Sequence, residues 1–103
     1  MFKIVKKRVL NEQVKLLTVD APYIAKKAEP GQFIILRIDE TGERIPLTIS
    51  DYNREKGEVT IVFQEVGKTT KQLGMLNEGD TILDFVGPLG QPTHFDENIK
   101  KAA

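Results

Sequence analysis

Hydrophobic and polar residues alternate with a period of two along most of this chain, as in strands that turn one face to a core. Phe2 and Ile4, with Val9 and Leu10 further on, mark a first strand that breaks near Asn11-Glu12. Val14, Leu16 and Thr18 share one face of a second strand and Leu17 and Val19 the other, until Asp20-Ala21-Pro22 stops it. Ala28-Glu29-Pro30-Gly31-Gln32 reads as a turn, because proline presets φ at one corner and glycine accepts a positive φ at the next. Phe33-Ile34-Ile35-Leu36-Arg37-Ile38 is an apolar, isoleucine-rich run too short for a typical helix, which predicts a strand buried on both faces. A polar turn at 39–43 leads into a returning strand at 44–50. Beyond the turn at 53–58, Val59, Ile61 and Phe63 alternate with Thr60, Val62 and Gln64.

The period changes once. Residues 69–76 predict the one convincing helix, with Thr69 or Thr70 as N-cap and Leu73 and Leu76 on a common face. Asn77-Glu78-Gly79-Asp80 closes it, and 81–86 forms the last strand. Short strands separated by turn signals, with a single short helix between them, predict an all-β fold: a small closed barrel. Neither an internal repeat nor a low-complexity segment interrupts it.

Composition narrows the function classes. The 103 residues suit one domain with one core, and 40% hydrophobic with 29% charged residues is ordinary for a soluble globular chain. Fifteen basic residues balance fifteen acidic ones, so no electrostatic case for nucleic acid exists. The few aromatics also argue against stacking on single strands. No apolar run approaches a membrane span, and the N-terminal Met1-Phe2-Lys3-Ile4-Val5-Lys6-Lys7-Arg8 lacks the apolar region of a signal peptide, which predicts a cytoplasmic protein. Cysteine is absent, which removes thiol catalysis and cysteine-ligated clusters from this segment. The single histidine, His94, has no second histidine to form a metal pair and reads as a solvated loop residue; no metal site is expected. The tail, 96–103, reads as the start of a linker, so the chain is expected to be a barrel over 1–95 cut from something longer.

Three segments can carry chemistry. In Arg44-Ile45-Pro46-Leu47-Thr48-Ile49, Pro46 cannot donate to a sheet ladder, so the strand has an edge or irregular character there and can expose backbone to a ligand. Leu47 can form an apolar shelf and Thr48 can offer a hydroxyl; a plain barrel strand with an edge proline is the other reading. In Gly67-Lys68-Thr69-Thr70, glycine admits close approach of a phosphate and a helix start follows; an ordinary capped loop is the other reading. The segment also ends like a P-loop, but Val62 stands where that motif needs its first glycine, and the preceding strand belongs to an alternating meander. Gly87-Pro88-Leu89-Gly90 reads as a stiff turn after the last strand.

In this order and spacing, the three segments resemble the flavin domain of the ferredoxin-NADP reductase superfamily. The nearest likeness is to the electron-transfer subunit of dihydroorotate dehydrogenase and the small subunit of NADH-dependent ferredoxin-NADP oxidoreductase (also met as a sulfide dehydrogenase subunit). The resemblance covers nearly the whole chain, from Phe2 to about Phe95. It implies a six-stranded antiparallel Greek-key β-barrel with one short capping helix, binding FAD. It implies that Thr48 acts at the flavin N5 as the catalytic hydroxyl, with Leu47 against the ring and Pro46 beside it. It implies further that Val62, Phe63 and Gln64 lie along the flavin, and that Gly67, Thr69 and Thr70 hold the phosphates. Arg44 stands four residues before Thr48 where the family has three, so it reaches the pyrophosphate only if Pro46 kinks or bulges the strand. The full-length protein implied is an NAD(P)H-dependent flavoprotein oxidoreductase. It would carry a C-terminal NAD(P)-binding domain, a [2Fe-2S] cluster and a larger oxidoreductase partner subunit, with ferredoxin as a further partner. The isolated segment would not turn over. The alternative is a non-catalytic barrel that binds a partner subunit or RNA.

Overall fold

The computed structural model of the chain describes residues 2–90. His94 and the expected boundary after residue 95 lie outside the described residues. The first hairpin joins β1 (Phe2–Val9) to β2 (Val14–Asp20). Asn11 closes it: its side-chain oxygen accepts the N–H groups of Gln13 at 2.9 Å and Val14 at 3.0 Å, an Asx turn. Where Pro22 was expected only to stop β2, it also starts α1 (Pro22–Lys27). Proline fits the first helical turn because its missing N–H would have no partner there. Then come β3 (Phe33–Arg37), β4 (Ile45–Asn53), β5 (Glu58–Gln64), α2 (Lys68–Gly74), β6 (Thr81–Ile82) and β7 (Asp84–Leu89).

All pairings are antiparallel, in the order β6-β1-β2-β5-β4-β3-β7. The two ends of that order, β6 and β7, are consecutive in the chain and separated only by Leu83. One segment therefore pairs with both edges, β6 with β1 and β7 with β3, and the sheet curls into a nearly closed Greek-key barrel. The expected barrel holds, with its last strand in two pieces, so that there are seven strands among the described residues. Inside lie Ile4, Leu17, Val19, Ile34, Leu36, Val59, Ile61, Leu73 and Ile82, all fully buried.

Two local expectations are corrected. β3 is not buried on both faces: Ile34 and Leu36 point inward, whereas Phe33, Ile35 and Arg37 are half-buried on the outer face. Gly87-Pro88-Leu89 is not a turn but the end of β7. Ile35 pairs with Val86 and Phe33 with Leu89, so Gly87 and Pro88 form an irregularity opposite Ile34. A Cβ on Gly87 would lie 2.8 Å from Ile34 Cγ2, so glycine is what lets the bulged backbone approach β3.

Candidate functional site

The barrel wall opens between β4 and β5. These strands pair from Asn53↔Glu58 to Ile49↔Ile61, with a register shift between Ile49 and Asp51. Beyond Ile49, the first part of β4 pairs with β3 alone, from Thr48↔Phe33 to Ile45↔Leu36. Beyond Ile61, Val62, Phe63 and Gln64 pair with β2 alone. Ile49 and Ile61 are buried, so by strand alternation the residues next to them, Thr48 and Val62, face outward on the two lips of the opening. Thr48, exposed, lines an outer hollow of about 290 Å³ with Gly31, Phe33, Pro46 and Leu47.

The sequence-predicted residues divide here. Thr48, Pro46 and Leu47 come together at the hollow, and Val62 and Gln64 stand on the opposite lip. Leu47 also packs half-buried against the core. Phe63 is 4% exposed and belongs to the core, so its ring is not on the outer surface. Phe33, which the sequence assigned to a fully buried strand, supplies an aromatic face to the hollow directly across from Thr48. Its signal was available only through register: once β3 and β4 form a hairpin, Phe33 and Thr48 share a face.

Arg44 reaches this outer surface without a kink at Pro46. The β3–β4 register runs one-for-one through Ile35↔Pro46, and the β4 shift lies near Ser50 instead. Pro46 and Thr48 share the outer face by strand alternation, and Arg44, one residue ahead of β4, lies beside Asp84, the register partner of the outward-facing Arg37. The Arg44 side chain is 61% exposed and sits 3.6 Å from Asp84, which also pairs with Arg37 at 2.9 Å. Such an exposed, shared ion pair holds Arg44 weakly. The Arg37 Nε is buried with no hydrogen-bond partner among the described residues.

The turn before α2 differs from expectation in which threonine does what. The N-cap is Gly67, not Thr69 or Thr70, and the helix runs Lys68–Gly74 with Leu76 beyond its end. Thr70 Oγ1 accepts the N–H groups of Val66 and Gly67, each at 2.9 Å, and donates to the Gly67 carbonyl at 3.1 Å. A hydroxyl has one proton and two lone pairs, so Thr70 is fully committed to shaping the turn, as the reach-back arm of a capping box. Thr69 is buried and donates to Glu43 Oε1 at 2.8 Å. Gly67 has ordinary extended backbone, φ −141° and ψ 178°. A Cβ there would meet nothing within 4 Å. Its lack of a side chain therefore leaves open surface that the fold itself does not use. A second hollow of about 310 Å³ lies beside it, lined by Thr41, Gly42, Glu43, Lys68, Thr69 and Gln72.

Residues 1–94 match the oxidoreductase FAD-binding domain family. An uncharacterized protein in the adh 3′ region of Clostridium beijerinckii is 61% identical over 95 residues, which is 92% of this chain and 32% of that protein. A dihydroorotate dehydrogenase B (NAD(+)) electron transfer subunit homolog of Thermotoga maritima is 48% identical over 94 residues, 91% of this chain and 33% of that protein. Among solved structures, one reported for an NADH-dependent reduced ferredoxin-NADP oxidoreductase, in work on flavin-based electron bifurcation, superposes with a TM-score of 0.89. It is 48% identical and covers 91% of this chain and 34% of the other. The cytochrome b5 reductase domain of Ulva prolifera nitrate reductase shares the fold, with a TM-score of 0.66 at 19% identity, over 86% of this chain and 40% of that one. The chain thus spans about a third of the length of the curated relatives it matches.

Proposed function

We propose that this chain, which belongs to the oxidoreductase FAD-binding domain family, binds FAD across the opening between β4 and β5, as the flavin domain of a longer NAD(P)H-dependent reductase. The observation that carries the residue-level reading is the parting of β4 and β5 beyond Ile49 and Ile61. It leaves Thr48 on one lip and Val62 to Gln64 on the other, with Arg44 on the same outer face as Thr48. The open approach at Gly67 fits a phosphate-bearing ligand as well, because the glycine there serves no need of the backbone.

FAD, when bound, supplies the two-electron and one-electron chemistry; the chain binds and orients. In this reading Thr48 offers its hydroxyl toward N5, and Phe33, Pro46 and Leu47 give the ring an apolar surface that keeps water from one side. Val62, Phe63 and Gln64 contribute through the strand that forms the second lip. Gly67, Lys68 and Thr69 face the diphosphate, and Arg44 swings to it from its loose pair with Asp84. Thr70 serves the site indirectly by fixing the turn.

The rest of the proposal concerns the longer protein. Its electrons would pass between NAD(P)H, FAD and an iron–sulfur centre. The nucleotide would be held by a domain following a barrel of residues 1–95 and a linker at 96–103, and a [2Fe-2S] cluster would lie beyond. A larger oxidoreductase subunit is the expected partner, with ferredoxin as a further one, in a cytoplasmic setting. Titration of the full-length protein with FAD, and separately with FMN, followed by flavin fluorescence, tests the site. Saturable FAD binding that weakens in Thr48→Ala and Thr69→Ala is expected, together with slower flavin reduction in Thr48→Ala. Absence of saturation, or both variants binding like the parent, would overturn the placement.

A further inference from the structure

Thr69 has one hydroxyl proton, and it goes to Glu43, whose Oε1 lies 2.8 Å away. Thr69 is 8% exposed, whereas Glu43 is exposed, so the carboxylate reaches the hydroxyl from the solvent side. The preceding turn sets its direction. Asp39 Oδ1 accepts the Thr41 N–H at 3.1 Å and the Thr41 hydroxyl at 3.0 Å, and the Gly42 N–H closes on the Asp39 carbonyl at 3.2 Å. Glu43 has no cation within 4 Å among the described residues. Its contact with Thr69 is therefore a charged acceptor held by a neutral donor.

We propose that Glu43 is an internal competitor for the cofactor's diphosphate: it takes the one proton that Thr69 would give to a phosphate oxygen, and so lowers the affinity of the barrel for FAD. The inference rests on the flavin reading above. A hydroxyl serves one strong acceptor at a time, and an ionised acceptor holds it more firmly than a neutral one. Carboxylate and diphosphate are both anions, so they also repel each other around a shared donor. Displacement is feasible because the Glu43 side chain is solvent-exposed and can turn outward. The arrangement has a parallel at Arg44, whose partner is the Asp84 carboxylate at 3.6 Å, while Arg37 at 2.9 Å would keep that carboxylate paired after Arg44 leaves. Two of the side-chain donors assigned to the diphosphate, Thr69 and Arg44, thus have acidic partners of the barrel's own.

The test is a fluorescence titration of flavin-stripped full-length protein with FAD, comparing the parent, Glu43→Gln, Glu43→Ala, Thr69→Ala and the Glu43→Ala/Thr69→Ala pair. Glu43→Gln keeps an acceptor for Thr69 and removes only the charge, so it covers the case in which Glu43→Ala disturbs the turn. FAD affinity is expected to rise about three- to tenfold in the Glu43 variants, the net size of one ordinary hydrogen bond. In the Thr69→Ala background that gain should vanish. Unchanged or weaker binding in both Glu43 variants would overturn the proposal, as would a gain that persists without Thr69, since that would reflect net charge alone. If the parent itself shows no saturation with FAD, the flavin reading falls and this inference with it. If the parent saturates and the Glu43 variants do not bind more tightly, only the competitor role falls.

Discussion

At the scale of single residues, the 67–70 turn shows how neighbouring side chains of one type acquire different tasks. Thr69 and Thr70 are adjacent and chemically alike in the sequence, where each suits a phosphate holder or a cap. The fold separates them: Thr70 satisfies three groups of its own turn, whereas Thr69 faces Glu43, 26 residues away in sequence. That second partner is set by how the 39–43 turn meets α2, which no local pattern encodes. Gly67, by contrast, is conspicuous in the sequence itself, because a glycine ahead of a helix start leaves room for close approach. Its extended φ and open Cβ direction give a clean prediction. Gly67→Ala should change stability by less than about 1 kcal/mol, since a small loss in N-capping preference offsets the stabilisation from the lower entropy of the unfolded chain. The same variant should weaken FAD binding about tenfold, because the methyl group occupies surface the phosphate would take. Thermal unfolding and FAD titration of the same preparation check both halves, and parent-like affinity would remove Gly67 from the site.

At the scale of elements, period-two alternation made β1, β2, β4 and β5 readable, because each turns one face to the core. Three features escaped it. α1 was hidden because Pro22 ends a strand and opens a helix equally well. The continuation of β7 through Gly87-Pro88 was hidden because a bulge and a turn use the same residues. The outer exposure of β3 was hidden because two of its three outer positions, Phe33 and Ile35, are apolar too. The side on which Arg44 lies follows from its contact with Asp84 rather than from strand parity, because Arg44 precedes β4. α1 also makes a demand on the β4–β5 hairpin. Gly57 has φ +70°, and a Cβ there would lie 2.8 Å from Pro22 Cβ. The Ala21 N–H also bonds to the Gly57 carbonyl at 2.8 Å, so the turn and the helix start are locked together. Gly57→Ala should therefore cost roughly 2 kcal/mol, from the left-handed conformation and the contact combined. A urea midpoint lowered by about 1–2 M, which is that cost divided by a typical slope, with the slope itself unchanged, is the expected result; a parent-like midpoint would mean that α1 does not constrain the hairpin.

At the scale of the whole molecule, barrel closure depends on a segment that serves two edges. Membership of the oxidoreductase FAD-binding domain family favours the flavin reading over a barrel that only binds a partner subunit or RNA, and the pairing around the rest of the wall is what gives the β4–β5 opening its shape. Leu83 is where the chain passes from one edge to the other. β6 contributes only the pairs Phe2↔Ile82 and Lys3↔Thr81, and β7 turns away to β3. The seam between them is bridged by side chains: the Phe2 and Phe85 rings lie 5.8 Å apart at an angle of 42°. Phe85 is 3% exposed and Phe2 half-buried against the same core. Phe85→Ala should cost about 3–4 kcal/mol, the range for an aromatic side chain removed from a core. Phe2→Ala should cost less, because its ring is only half-buried. If the rings close the seam, the two losses should not add: the double variant should be less destabilised than their sum by about 0.5–1.5 kcal/mol, the coupling of one aromatic pair. Denaturant unfolding of the parent, both single variants and the double variant measures that coupling directly. Strict additivity would mean that the backbone ladders of β6 and β7 close the barrel unaided, and that the two phenylalanines only fill space on either side of the seam.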